Sequence, residues 1–492
     1  HYINCLQNDK DALNRCNAAV VLGRMNNSQA MNPLIKALVK DTEESVRCAA
    51  IEALAQIRIE QVIKDGVADD RPILPLIYTM LHESNSDIIE KAVSALAVSP
   101  DERCVLPFIK MLQSPNQDIR HIVANGLGMI SDSRSVLPLI HALTDESELV
   151  RAEAAISLGY LKDNQAVLPL IKALKDTDKS VRLNAVRALE ELNDTMIIPN
   201  LIETLSDEEE SVRCAAVSAL YHIRENQMMN DGITDDRIVV ALIHTLLHDT
   251  DYEVIEKASD SLQFCDDERC VLPFIELLQS PYKKLRAAAA SGLGNIGDLR
   301  AVLHLIQVMK DGEETVRSAA ARSLGRLKDD RAVLPLIDAL KDTDTSVRLN
   351  AVTALEEFND HRAVQPLIEL LQDEEKNIRE KAVTQLGNYN DSRVVLPLIH
   401  ALQDTESEVR RAAVISLAMT EDPHVVMALI DAFHDPDEFV RSTIALLLSK
   451  NADKRVITLL ERAAVHDPSE LVRYKSADAI ARIRKQGRYL IY

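Results

Sequence analysis

Residues 166–192 read AVLPLIKALKDTDKSVRLNAVRALEEL. A proline in the first turn of a helix removes no intrahelical hydrogen bond. Pro169 therefore marks a short helix over Ala166–Leu174, called the A helix below. An Asp-rich turn, Lys175–Asp178, follows. Val181, Ala185, Leu189 and Leu192 then fall at helical spacing and predict a second helix, B, over Ser180–Leu192. Small residues such as Ala185 let a neighbouring helix approach closely.

The phrase recurs along the chain. Its proline position is occupied by Pro33, Pro75, Pro107, Pro138, Pro169, Pro199, Ala241, Pro273, His304, Pro335, Pro366, Pro397, Ala428 and Thr458. Successive markers lie 30–32 residues apart, except for two intervals of 42. A two-helix hairpin of this length cannot bury its apolar faces alone, whereas stacked hairpins share one core. The expected fold is all-α: a right-handed superhelical α-solenoid of about fourteen to fifteen two-helix repeats. The length, 492 residues, would otherwise suggest three or four globular domains.

The repeats are themselves duplicated. SVRCAA at 45–50 returns at 211–216, DERCVLPFI at 101–109 returns at 267–275, and SVRLNAV at 180–186 returns at 346–352, each 166 residues on. The expected organisation is one continuous solenoid over 1–492: a partial first unit (1–28), a five-unit block (29–194), its duplicate (195–360), and further units with a C-terminal cap (361–492). No Val-Leu-Pro precedes His1 to Leu6, and the tail at 482–492 is basic and then apolar. Both ends suit a piece of a longer polypeptide or complex.

A charge pattern runs in the same register. Ten units carry Asp six residues before Arg, among them Asp145/Arg151, Asp176/Arg182, Asp207/Arg213, Asp311/Arg317 and Asp342/Arg348. The Asp is placed to cap the first turn of the B helix, and the Arg to reach the interface between units. Such a ladder is expected to fix the stacking. Pro, then Asp, then Arg in a helical hairpin resembles the HEAT-repeat signature. AVLPLIKALKD…VRxxAxxALxxL is similar to the short HEAT-like repeats of the phycobilisome-lyase class. The resemblance covers about residues 5–485. It implies a solenoid, and a function ranging from plain scaffold to bilin lyase, deoxyhypusine hydroxylase or the sensor arm of a large NTPase.

Composition and motifs narrow that range. The net charge of −21 repels phosphate backbones, so no nucleic-acid partner is expected. No uncharged run exceeds about eleven residues, short of the ~20 that span a bilayer. Seven scattered cysteines suit a reducing cytoplasm, with free thiols packed in the core. Cys265 and Cys270 make no metal site, because the first block has Ser99 where the second has Cys265. His82-Glu83 alone cannot build a di-iron centre, and its copy is His248-Asp249. Nucleophile-elbow, zincin, Walker and dinucleotide motifs are absent, and the Gly-Leu-Gly phrases at 126–128 and 292–294 fall inside B helices as packing features. No cofactor, metal or catalytic residue is expected. The inner-face positions Glu153, Asn184, Lys257, Lys284, Asn350, Lys381, Arg411 and Lys475 are polar, with Tyr252, Phe439 and Tyr474 the main aromatics nearby. That favours a broad protein-contact surface. The expected function is non-catalytic protein binding, as a scaffold or recognition arm; the alternative is a bilin lyase or lyase-like chromophore handler.

The two long intervals carry RIEQVIKDGVADDR (58–71) and RENQMMNDGITDDR (224–237). They are expected to extend a B helix, end it at Gly66 or Gly232, and form an acidic loop. The following units have Ile89 and Ile255 where the ladder Arg belongs. Loops on one edge of a repeat array often form its binding face. Asp65, Gly66, Asp69, Asp70 and Arg71, with Asp231, Gly232, Asp235, Asp236 and Arg237, are therefore the candidate partner-binding residues. At ~10 Å per stacked helix, five units place the two loops ~50 Å apart.

Overall fold

The computed structural model describes residues 1–66, 69–97, 101–232, 234–420, 422, 424–450 and 453–489. Among these there are thirty α-helices, twelve short 3-10 turns and no strand. The chain forms two compact units, His1–Ala258 and Ser259–Tyr492.

Each unit is a run of hairpins of one design. In the first, a 3-10 turn at Asn164–Ala166 leads into the A helix Val167–Ala173, and the B helix Lys179–Leu192 returns. In the second, Asp330–Ala332, Val333–Ala339 and Thr345–Leu355 do the same. The entry to the A helix is fixed by an aspartate. The Asp163 side chain accepts the Gln165 N–H, as Asp329 accepts that of Arg331. Where Arg stands two residues beyond this Asp, its guanidinium folds back onto the same carboxylate, as in Asp132–Arg134 at 2.8 Å and Asp329–Arg331 at 2.8 Å. These hydrogen bonds from the arginine side chains hold the Asp132 and Asp329 carboxyls down at about 2. This local Asp-x-Arg cap is a second charge pattern that the sequence reading passes over.

The core lies between the two helix layers. Val167, Leu170, Ala173 and Leu174 of the A helix and Val181, Ala185, Val186 and Leu189 of the B helix are buried. The first Leu of the recurring phrase is not: Leu106, Leu137 and Leu168 in one unit, and Leu272, Leu303 and Leu334 in the other, are all exposed. Neighbouring B helices pack along their length, and small residues set their separation. A Cβ on Gly128 would lie 2.4 Å from Ser157 Oγ and 2.9 Å from Ser157 Cα, and one on Gly325 would lie 2.8 Å from Ala354 Cα. Gly126 and Gly292 sit against the rings of Phe108 and Phe274. The Gly-Leu-Gly phrases are therefore packing features, as the sequence indicated.

Alanine has a better helix propensity than glycine by about 1 kcal/mol. The backbone contact reverses that preference here. Gly128→Ala and Gly325→Ala should each lower stability by about 1–3 kcal/mol through overpacking. Gly312→Ala, whose Cβ meets nothing within 4 Å, should change it little. Chemical denaturation of the three variants checks this.

Candidate functional site

The ladder orders the edge where A helices turn into B helices. Arg182 donates from Nε and Nη2 to both carboxylate oxygens of Asp207, at 2.7 and 2.9 Å. Its Nη1 donates to the backbone carbonyls of Asp176 and Thr177, at 3.0 and 3.3 Å. Asp207 meanwhile accepts the Glu209 N–H at 2.9 Å. One guanidinium thus closes its own turn and grips the next, and one carboxylate shapes its turn and receives the previous arginine. Six such rungs stand in each compact unit.

The arginines reach the interface between units, as the sequence reading expects, and the capping role expected of the Asp is corrected. The carboxylate partner of each Arg is not the Asp six residues behind it. Arg151 pairs with Asp176, Arg182 with Asp207, Arg317 with Asp342 and Arg348 with Asp373, each 25 residues ahead. Arg213 pairs with Asp249 and Asp251. Asp145 and Asp311 receive Arg120 and Arg286 from the preceding hairpins. Nor does the ladder Asp cap the B helix. The N-cap lies two residues later, Ser147 before Glu148–Leu161 and Asp178 before Lys179–Leu192. Each arginine finds only main-chain oxygen in its own turn, because the Asp side chain there is turned toward the hairpin before it. The Arg286 hydrogen bond is the main cause that holds the Asp311 carboxyl below the usual carboxylate range, and Arg15 does the same for Asp41.

The ladder breaks at equivalent places. Ile89 and Ile255 replace the Arg, and 25 residues on, Ser114 and Ser280 replace the Asp. Both members of a rung are lost together, so neither charge is left without its partner. Just before the first break, Arg47 reaches Glu83 at 2.9 Å. Arg58, almost fully buried, donates from Nη1 to the Ala95 carbonyl at 3.3 Å, near the end of the Ser86–Ala97 helix.

The inserts lie in the same compact unit. They extend the B helices Glu44–Asp65 and Glu210–Asp231 to 22 residues each, against 14 for Lys179–Leu192. Gly66 and Gly232 end them in the left-handed conformation, at φ 72° and 65°. The Gln61 side chain accepts the Asp69 N–H at 2.9 Å, and Gln227 accepts that of Asp235 at 2.9 Å. Asp235 then caps the next A helix, Asp69 accepts the Arg71 N–H in the turn before Ile73–His82, and the two carboxylates hold Arg237 and Arg71 as the Asp-x-Arg caps do elsewhere. Arg71 also donates to Asn32 Oδ1 at 3.0 Å, and Asp70 lies 3.5 Å from Arg103. Asp236 opens the helix Asp236–His248. The side chains of Asp65 and Asp231 lie outside the described residues. The acidic and basic residues singled out from sequence are thus mostly engaged within the chain. The apolar residues just before them are not: Ile63 is 74% exposed and Met229 81%.

Among the described residues no three His, Cys, Asp or Glu side chains come together as a metal site. Burial pushes the Cys104 thiol up to about 12 and Cys214 to about 11, far from a reactive thiolate. A cleft of about 540 Å³ beside the ladder is lined by Gln372, Asp373, Arg379, His400 and Asp404, of which Asp373, Arg379 and Asp404 are rung residues. On the inner face, Glu153 accepts from Asn125 at 2.7 Å and Asn350 donates to Ser318 at 2.6 Å, so both are spent on joining repeats. Lys381 and Arg411 are exposed.

Comparison with known proteins agrees with this architecture. The family model described as HEAT repeats matches residues 1–97, 105–169, 167–263, 271–340, 333–418 and 395–481. The chain belongs to the HEAT-repeat family. No curated protein matches it in sequence. Among solved structures it is similar to importin-β solenoids. Kap95p, whose binding induces the switch loops of RanGDP to adopt the GTP-bound conformation, is 14% identical with a TM-score of 0.55, over 99% of this chain and 79% of that one. Importin β in an ammonium sulfate condition is 15% identical with a TM-score of 0.56, over 98% and 72%. Yeast importin-β (Kap95p) alone is 15% identical with a TM-score of 0.51, over 98% and 77%. At this identity the likeness concerns the fold.

The rungs make two predictions. Arg182→Met should cost about 3 kcal/mol, because it strands a half-buried carboxylate. Ile89→Arg should destabilise when made alone and recover when Ser114→Asp supplies its carboxylate, as read by urea unfolding. Asp41, Asp145, Asp176, Asp311, Asp342, Asp404 and Asp467 have folded-state pKa values below their unfolded ones. Their contribution is therefore complete above about pH 4 and is lost as the pH falls through the folded-state values. Melting temperature should fall steeply below about pH 4 and less so in a variant lacking several rungs.

Proposed function

We propose that this chain is a non-catalytic protein-binding scaffold, or the recognition arm of a larger assembly, and that its two inserts are the partner contacts. The observation that carries the reading is that the insert is built twice in the same way. Helix extension, glycine cap, glutamine clamp and Asp-Asp-Arg all recur 166 residues apart. A brace for one irregular stacking step uses the buried Arg58 and the Gln61 clamp; it has no use for the exposed apolar side chains of Val62 and Ile63 that follow. The printed descriptions of the similar solenoids, Kap95p with RanGDP and Kap95 with Nup1, are of protein complexes. The acidic surface argues against nucleic acid, and no helix among the described residues is long and apolar enough to cross a membrane. Cysteines that are all free favour a reducing compartment such as the cytoplasm. Nothing observed favours the bilin-lyase alternative.

Shortening both inserts to the regular 31-residue spacing tests the proposal. Loss of partner capture from native extract, with the helical signal retained, is the expected outcome. Capture that survives while only the melting temperature falls would make the inserts braces.

A further inference from the structure

We infer that each insert makes its contact through an apolar knob, Val62–Ile63 on the first and Met228–Met229 on the second. Each knob would seat in an apolar pocket rimmed by Lys or Arg on a folded protein partner. The inference rests on the inserts being contact sites and names what they touch.

Three observations support it. The first is exposure. Val62 and Met228 are 38% and 46% exposed, and Ile63 and Met229 far more. Single exposed apolar residues are ordinary, but these occur in equivalent pairs on the projecting turns of helices that have outrun their neighbours. The second is the pattern of divergence between the copies. Across the extension Ile59 is matched by Glu225, Glu60 by Asn226 and Lys64 by Asn230, so surface character has changed freely. At the two knob positions both copies remain apolar. Core packing does not explain that, since the second residue of each pair is mostly in solvent. The third is anchoring. Each extended helix ends in the same glycine cap, and the Gln61 and Gln227 side chains on the knob-bearing turns accept the Asp69 and Asp235 N–H groups, so each turn is tied to the residue that leads into the next A helix. A helical turn held in this way has less conformational entropy to lose on binding.

Shape and charge define the occupant. A protruding helix end fills a pocket and cannot itself cradle an extended peptide. Glu60 and Lys64 are exposed on either side of the first knob, and Asp70, which pairs with Arg103, is 70% exposed beside its loop, so the local charge is weakly acidic. On a chain of net charge −21, a second copy would be repelled. A pocket with a basic rim complements both features. Methionine adapts to pocket shape better than branched side chains, so the two knobs can enter like pockets on two copies of one partner.

The experiment uses the full chain with a photo-cross-linking residue at position 63 or at position 229, exposed to native extract, followed by peptide identification. Both positions should cross-link the same protein, at apolar residues flanked by Lys or Arg. With that protein purified, the combination of Val62→Asp, Ile63→Asp, Met228→Asp and Met229→Asp should weaken binding at least about 100-fold, because linked contacts gain roughly 10²–10⁴ in avidity. The milder pair Ile63→Ser and Met229→Ser should weaken it in the same direction without loss of helical signal. Cross-links to different proteins, to acidic or polar surfaces, or to none would overturn the inference, as would unchanged affinity in both variants. If the shortened inserts abolish binding while the Asp and Ser variants bind normally, the knobs are wrong and the inserts stand as contacts. If the shortened chain binds normally, both readings fall.

Discussion

The stacking depends on a guanidinium that serves two turns at once. A solenoid has no long-range contacts to hold its shape, so each hairpin must be fixed by its neighbours alone. Hydrophobic burial between B helices is strong but permits sliding. The bidentate Arg–Asp contact does not slide, because planar fork and carboxylate match in one geometry. Its energetic contribution comes less from net stabilisation than from the penalty for any register that strands a half-buried charge. Repeated five times in the first compact unit, where Arg47 grips Glu83 at a sixth junction, and six times in the second, that penalty selects one arrangement of turns. The glycines and alanines of the B helices can then pack backbone against side chain, because the register is set.

The two breaks follow from the same constraint. A rung cannot lose one member cheaply, and at both breaks both members are absent. The long inserts precede these places, and the buried Arg58 links the extended helix to the end of the next B helix. The base of the insert thus adds a second tie at the junction that Arg47 and Glu83 already span, one hairpin before the break, while the apolar side chains beyond it are exposed. One duplicated element combines a structural end and an exposed end, which is why its acidic residues and its apolar residues separate so cleanly in the structure.

Much of this was legible in the sequence, and the parts that were not have physical reasons. The hairpin, its register and the duplication follow from Pro169 and its equivalents. The sense of the ladder did not, because in a 31-residue repeat an Asp six behind an Arg and an Asp 25 ahead occupy the same column. Periodicity alone cannot choose between them. The exceptions could have chosen: Arg120 and Arg286 follow Ser114 and Ser280 at six but meet Asp145 and Asp311 at 25. The exposure of Ile63 and Met229 was hidden for a different reason. Whether an apolar position on an extended helix is covered depends on how far its neighbours reach, which no local pattern reports. The charged loop residues drew notice because Asp and Gly stand out in sequence, yet they mostly satisfy one another.

The central claim, that the rung is made to the next hairpin, is tested most directly by a pair of double-mutant cycles on Arg348. One pairs Arg348→Met with Asp373→Asn and the other with Asp342→Asn, each followed by urea unfolding. The geometry predicts a coupling of about 1–3 kcal/mol for Arg348 with Asp373, and a much smaller one with Asp342. A coupling that is larger for Asp342, or near zero for Asp373, would contradict the account.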